Sequence, residues 1–281
     1  MHDRAANRRP VVAAAGANTA EHGTEAVKST SLAIALLGRE LRERYLSTFA
    51  GLAWVLITPV LLLAVYAFVF VELLGARFGN RVGGDVIAFL ALGMWPWHAF
   101  SDSLSRGTTA LTGNAALIGQ IAIPRAWLVL VPTMGAAIIH TASLVLVALL
   151  LFALGRIQPG AGVFVALLAY LLMLANAAAL AMLLAPLNVF FRDVGTLLPQ
   201  VLTFWMLVTP IFFDRAQLRP DLGDWLSLNP MTGLVEALRG GLLHGEAAFS
   251  CLFAPAAVTA LLVTLAIIAS RRFLARIEDF L

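Results

Sequence analysis

Leu187-Asn-Val-Phe-Phe-Arg-Asp-Val-Gly-Thr-Leu-Leu-Pro199 is a single charged notch in a long apolar run, and how it is read decides the fold. Between Ala161 and Phe213 only Arg192 and Asp193 carry charge. Wound as one helix at ~1.5 Å per residue, that run would be about 80 Å long, against a hydrocarbon layer of about 30 Å. The chain therefore crosses a membrane twice here and turns at the notch. Charges at the centre of a bilayer cost several kcal/mol, which puts Arg192 and Asp193 at a water interface. A plain tight turn satisfies this, and so does a turn that also touches a partner or gates a path.

The whole chain has the same character. Of its 281 residues 60% are apolar and 12% charged, with a mean hydropathy of +0.89, the composition of an all-α integral membrane protein rather than a soluble domain. Cys251 stands alone, which excludes an internal disulfide and argues against a metal site of thiolates. Lys28 is the only lysine and no Gly-Lys pair exists, so the chain lacks a phosphate-binding loop. If ATP drives this protein, ATP and magnesium are bound by another chain. His98 has no second histidine at ligand spacing, and no His, Asp, Glu or Cys cluster suggests a membrane enzyme. Paired acidic residues within the spans and an inverted repeat, the marks of a secondary transporter, are absent to the eye.

Outward from the notch, six crossings are expected: Gly51 to Leu73, Val86 to Ser105, Ala126 to Leu154, a fourth ending at Leu187, Val194 to Phe213, and Phe249 to Ser270. Residues 1–30, with Arg4, Arg8, Arg9 and Lys28, lack apolar periodicity and read as a disordered cytosolic tail, too polar for a secretory signal. In the next stretch Ile34, Leu37, Leu41, Tyr45 and Thr48 fall on one helical face and Arg39, Glu40, Arg42, Glu43 and Arg44 mostly on others. This predicts an amphipathic helix in the headgroup plane. Arg106 to Arg125 reads as a polar connection around a short helix at Ala115 to Gln120. Trp95 and Trp97 serve either as interfacial belt residues or as path lining. His140 has no evident acidic partner in sequence and reads more readily as a buried packing residue than as a proton carrier.

Small residues from Ala175 to Ala181 mark a close helix contact, within the chain or between copies. Asp214 to Ala248 alternates charges with apolar pieces too short to span, Trp225 to Leu228 and Met231 to Leu243. Asn229-Pro230 supplies a cap and first-turn proline, and Gly240-Gly241 an expected stop. Two short re-entrant helices in the outer leaflet fit this segment. The arginine distribution places both termini inside, with Arg106, Arg125, Arg192, Arg271, Arg272 and Arg276 on that side, and Arg77, Arg81, Arg156, Arg215, Arg219 and Arg239 outside.

Several motifs in order carry a family resemblance: Arg39-Glu40-Leu41 through Tyr45, Trp54 with Pro59, Leu104-Ser105-Arg106-Gly107-Thr108, Asn114 through Pro124-Arg125, Phe191-Arg192-Asp193-Val194, Thr209-Pro210-Ile211 and Asn229-Pro230-Met231. Over residues 31–281 the chain resembles the permease subunits of polysaccharide and polyol-phosphate exporters, a branch of the type-2 ABC transporters serving O-antigen, capsule, teichoic-acid and galactan export. The resemblance implies a type-2 ABC transmembrane domain over 31–281, a homodimer of permeases and two ATPase subunits. The substrate would be a lipid-linked glycan, moved across a bacterial plasma membrane. It implies an interface helix over Ser31 to Tyr45 and a cytosolic coupling helix over Asn114 to Gln120. Arg39, Glu40, Glu43, Asn114, Leu117, Ile118, Gln120 and Arg125 would meet the ATPase. Trp225, Asn229, Pro230, Glu236 and Arg239 would belong to the outer gate. No nucleic-acid partner is expected. A permease for a small lipid or drug is the alternative.

Sugar C–H faces pack on aromatic rings while their hydroxyls stay wet, so Trp54, Tyr66, Phe70, Phe204 and Trp205 are expected as channel lining. A lipid diphosphate needs planar cationic donors near the cytosol, for which Arg42, Arg44 and Arg192 are candidates, with lipid-headgroup pairing the competing role.

Overall fold

The computed structural model describes residues 31–42, 51–73, 86–115, 124–158 and 160–273. Every regular element among them is helical. In chain order these are α1 (residues 31–42), α2 (Gly51–Tyr66), continued by π-helical turns over Ala67–Leu73, α3 (Val86–Gly113) and α4 (Arg125–Ala153). There follow α5 (Gly162–Phe190), α6 (Asp193–Val208), α7 (Pro220–Ser227), α8 (Pro230–Leu243) and α9 (Phe253–Phe273). The expected tail over 1–30, Glu43, Arg44, Leu117, Ile118, Gln120 and the chain after Phe273 lie outside the described residues. So do the side chains of Trp54 and Phe70.

Three helical stretches among the described residues are long and apolar enough to cross a membrane: Arg125–Ala153, Gly162–Phe190 and Phe249–Arg272. Ile57–Tyr66 in α2 and all of α6 are shorter apolar helices. At the notch α5 runs to Phe190 and α6 starts at Asp193, so the expected turn is present, with Arg192 and Asp193 both exposed.

The core is built around α3, which packs against α4 and α5, while α5 also supports α8 and α9. Trp97, Phe100, Leu104 and Leu111 of α3 are fully buried. Close approach depends on missing side chains. A methyl group at Gly107 would stand 2.6 Å from Ala181 Cβ, so the small residues of α5 make an intrachain seam with α3. Likewise, a methyl group at Gly162 would stand 2.6 Å from the Gly241 carbonyl oxygen, where α5 and α8 touch backbone to backbone.

Four expectations are corrected. The helix of the expected second crossing does not end at Ser105; α3 continues through Arg106 to Gly113. Hydroxyls make this polar stretch compatible with a helix: Ser105 donates to the Ser101 carbonyl at 2.8 Å and Thr108 to that of Leu104 at 2.8 Å. Arg106 is therefore a helix residue and leaves the count of loop arginines. α6, the helix of the expected fifth crossing, stops at Val208 rather than Phe213, with Thr209 held extended ahead of Pro210. Gly240 and Gly241 do not end α8, which runs to Leu243; they are contact residues, and Gly245, at φ 67°, takes the left-handed conformation just beyond. His140 does have an acidic partner, Asp102, whose position relative to it depends on how two helices cross.

Candidate functional site

Three polar constructions are set into this apolar frame. The first ties α8 to α3 and to the end of α6. Asn229 caps α8 as its sequence position predicts: its Oδ1 accepts from the Met231 N–H at 3.1 Å, and Pro230 occupies the first turn. The same oxygen accepts from Trp205 Nε1 at 3.0 Å, while Asn229 Nδ2 donates to Thr209 Oγ1 at 3.0 Å. One amide thus satisfies a helix start, an indole and the hydroxyl that closes α6.

Nearly three turns further along α8 lies Arg239, 5% exposed. Its Nε donates to the Phe89 carbonyl at 3.0 Å, Nη1 to that of Pro210 at 2.5 Å and Nη2 to that of Ile211 at 2.7 Å. The guanidinium carbon stands 3.6 Å from the centre of the Phe89 ring, a cation–π contact sheltered from solvent. Gly93 provides the space, since a side chain there would run into the guanidinium. Burial pushes the Arg239 pKa down to about 9, with Glu236 and Asp214 opposing the shift, so the group stays cationic at neutral pH. Glu236 pairs with Arg215 at 3.3 Å, and burial raises its carboxyl above the usual range against that neighbour's pull. A cavity of about 550 Å³ beside these groups is lined by Arg215, Glu236, Arg239 and His244. Of the five residues expected at an outer gate, Asn229, Pro230, Glu236 and Arg239 therefore lie together on α8 and its cap. Trp225, on α7, is 73% exposed.

The second construction is aromatic. Trp205 meets Trp97 edge-on at 5.8 Å between ring centres and Phe100 at 5.5 Å. Tyr66 meets Trp95 at 6.4 Å, also edge-on, and Trp95 Nε1 donates to Ser143 Oγ at 3.2 Å. Trp205 and Tyr66 are thus partly enclosed by their own protomer. Phe204, 69% exposed, belongs to an unpartnered α6 face with Leu197, Val201 and Leu207.

The third lies where α3, α4 and α6 meet. Asp102 Oδ2 accepts from Arg106 Nε at 2.7 Å and stands 3.0 Å from His140 Nε2. These side chains are 32%, 20% and 26% exposed. His98 is on the same wall, its Nε2 enclosed and without a hydrogen-bond partner. The helix spacing of Asp102 and Arg106 is visible in sequence as an i,i+4 pair, but the union with His140 is not.

At the opposite side Asn188, 3% exposed, fixes the α5–α6 turn by accepting from the Gly195 N–H at 2.7 Å and donating to Thr112 Oγ1 at 3.2 Å. Arg192 itself is exposed on this turn, as is Arg42 at the end of α1. Asn114 ends α3, its Nδ2 donating to the Ala110 carbonyl at 2.9 Å, and Arg125 opens α4. Arg39 of α1 is exposed, whereas Glu40 turns inward: a methyl group at Gly135 of α4 would be 3.3 Å from its Cγ.

Comparison with known proteins sets this geometry in a lineage. A family model described as ABC-2 type transporter matches residues 31–243. The chain is 29% identical over 209 residues to the O-antigen export system permease protein RfbA of Myxococcus xanthus, covering 73% of this chain and 77% of the relative. A Klebsiella pneumoniae protein of the same name is 22% identical over 215 residues, with 76% and 81% covered. The capsule polysaccharide export inner-membrane protein CtrC of Neisseria meningitidis serogroup B is 23% identical over 212 residues, with 75% and 79% covered.

Proposed function

This chain belongs to the ABC-2 type transporter family, and on that premise we propose that it is the permease of an ATP-driven exporter that moves a lipid-linked polysaccharide from the cytoplasm to the outer face of a bacterial plasma membrane. The observation that carries the reading is the likeness to O-antigen and capsule export permeases over about three quarters of both chains. In this reading α2, α3, α4, α5, α6 and α9 make six crossings with both termini in the cytoplasm, and α7 and α8 form a re-entrant pair at the outer surface.

Two permeases pair, and two ATPase subunits hold the ATP and magnesium that this chain has no motif to bind. The apolar face of α6, with Leu197, Val201, Phe204 and Leu207 each more than half exposed, is open to a second copy or to lipid. Nucleotide-driven closure of the ATPases shifts the equilibrium between arrangements of the two permeases; it acts through the cytosolic loops, including the segment between Asn114 and Arg125. The short α6 is held at its outer end by Arg239 and Asn229, so a displacement of α6 would be passed to α8 and α7.

Depletion of this protein in its host, followed by chemical identification of the polymer retained on lipid carrier inside the cell, tests the reading. Accumulation of one long-chain glycan with loss of the same glycan from the surface is the expected result. Unchanged surface glycans and no internal accumulation would refute it.

A further inference from the structure

The cluster at Asp102 is charged and lies deep along the helices. Asp102 is eleven residues from the Gly113 end of α3 and His140 fifteen from the Arg125 end of α4, so by helical rise they lie about 16 and 22 Å from those ends. At about 42 and 44 Å these helices overhang a hydrocarbon layer about 30 Å thick by ~6 Å at each end, which in the six-crossing reading leaves both residues within it. The cluster borders a cavity of about 490 Å³, walled by Ser101 and Ser105 of α3, Ile139 of α4 and Thr203 of α6. A partly exposed ion pair here cannot face lipid without losing several kcal/mol, so the cavity must hold water or a polar occupant.

Much of the cluster's hydrogen-bonding capacity is unused by the protein. Both protein contacts to Asp102 use Oδ2, leaving Oδ1 as an acceptor. Arg106 uses Nε alone and keeps four N–H donors on Nη1 and Nη2. Ser105 and Thr203 donate to the carbonyls of Ser101 and Pro199, and their lone pairs can accept. Acceptors and donors are therefore interleaved over a few ångströms, beside an indole, Trp97.

We propose that this α3/α4/α6 cavity is a binding site for the hydroxyl groups of the translocating glycan, with Asp102 Oδ1 accepting from one hydroxyl and the Arg106 guanidinium donating to a neighbouring oxygen. The inference rests on the glycan-export reading and adds to it a mid-membrane polar contact point. A sugar fits the interleaved pattern because each hydroxyl both donates and accepts. A phosphate fits poorly, because the Asp102 carboxylate would face it and already neutralises the cation. Arg106 and His140 hold Asp102 in place, so they act as positioning residues as much as contacts.

The test uses Ile139→Cys, a cavity-wall position with no polar role, in a Cys251→Ser background because Cys251 is exposed. The full exporter is assembled in cells that make the polymer and in otherwise identical cells that lack its polymerising glycosyltransferase. A membrane-impermeant, water-soluble thiol reagent is applied to opened cells. The proposal predicts labelling in the polymer-free cells and several-fold slower labelling where polymer is made. Asp102→Asn added to Ile139→Cys should abolish that protection and lower surface polymer by about tenfold, the loss expected for one charge-assisted hydrogen bond, while the ATPase subunits still co-purify.

No labelling in either strain, or equal labelling in both, overturns the proposal. So does an Asp102→Asn permease that co-purifies normally and exports at the wild-type level. If Asp102→Asn fails to accumulate, the protection measurement on Ile139→Cys alone decides. Deletion of the chain without loss of surface polymer would defeat the export reading itself; deletion that abolishes display, with equal labelling, defeats this inference alone.

Discussion

Replacing Arg239 with methionine keeps much of the side chain's length and removes its charge. Three donated hydrogen bonds disappear, to the carbonyls of Phe89, Pro210 and Ile211, together with the contact over the Phe89 ring. The Phe89 carbonyl lies within α3 and can retain a helical partner, so the main loss falls on Pro210 and Ile211 at the end of α6. Hydrogen bonds to charged groups are worth about 1.5–3 kcal/mol net, and leaving buried acceptors unpaired costs about 1–3 kcal/mol each. Against this stands the relief of no longer burying a guanidinium, itself several kcal/mol. The balance expected for removing one partner from a buried polar network is a loss of about 3–5 kcal/mol. For a chain of this size that corresponds to roughly 10 °C in an unfolding midpoint.

Arg239→Lys should lose less, since an ammonium retains charge but cannot span three carbonyls at once. Gly93→Ala should destabilise in the same direction by pushing on the guanidinium. The double variant Gly93→Ala with Arg239→Met should be less than additive, since the group that the methyl displaces is gone. Thermal unfolding of the detergent-purified permease, followed by loss of monodisperse protein, measures all four. A midpoint for Arg239→Met within a degree of wild type, or strict additivity in the double variant, would refute the claim that Arg239 locks α8 to α3 and α6.

Asn229→Ala should cost about 2 kcal/mol from the lost cap and the lost indole bond, seen as a lower unfolding midpoint with altered Trp fluorescence. Asn229→Asp, which keeps the acceptor to Met231 and Trp205 but not the donor to Thr209, should fall between. At the α5–α6 turn, Asn188→Leu should lower the midpoint by stripping the partner from the Gly195 N–H, and Gly195→Ala should do so by placing a methyl 2.9 Å from Asn188 Oδ1; wild-type behaviour of both would show that this turn is not held by Asn188. Leu117→Asp or Ile118→Asp should reduce ATPase co-purification and coupled ATP hydrolysis while the permease stays folded, and an intact, active complex would remove these residues from the interface.

What was readable from residues was what depends on near neighbours. The turn at Arg192-Asp193 shows because two adjacent charges interrupt apolar helix on both sides, and the start of α8 shows because Asn229-Pro230 is a local cap. What escaped depends on helices crossing. Asp102 and His140 are 38 positions apart and meet only because α3 and α4 pack side by side. The same holds for Arg239, whose charge marks it as exposed by composition but which reaches a carbonyl 150 positions away. Arg106, Gly107, Thr108 and Thr109 make α3 look too polar to continue, because a hydropathy count cannot know that the threonine hydroxyls return to their own helix. Gly240-Gly241 looked like a stop for a similar reason: the same lack of a side chain that ends helices also lets α8 touch α5.

Transport of a lipid-linked polymer can be followed in inside-out membrane vesicles carrying this chain with its ATPase. On adding ATP, lipid-linked polymer presented at the outer, formerly cytoplasmic, surface should become protected from an added glycosidase as it enters the lumen. Vesicles without the chain, or with a hydrolysis-dead ATPase, should show no protection. Polymer that stays fully digestible in ATP-fed vesicles containing the intact, hydrolysing complex would contradict the account.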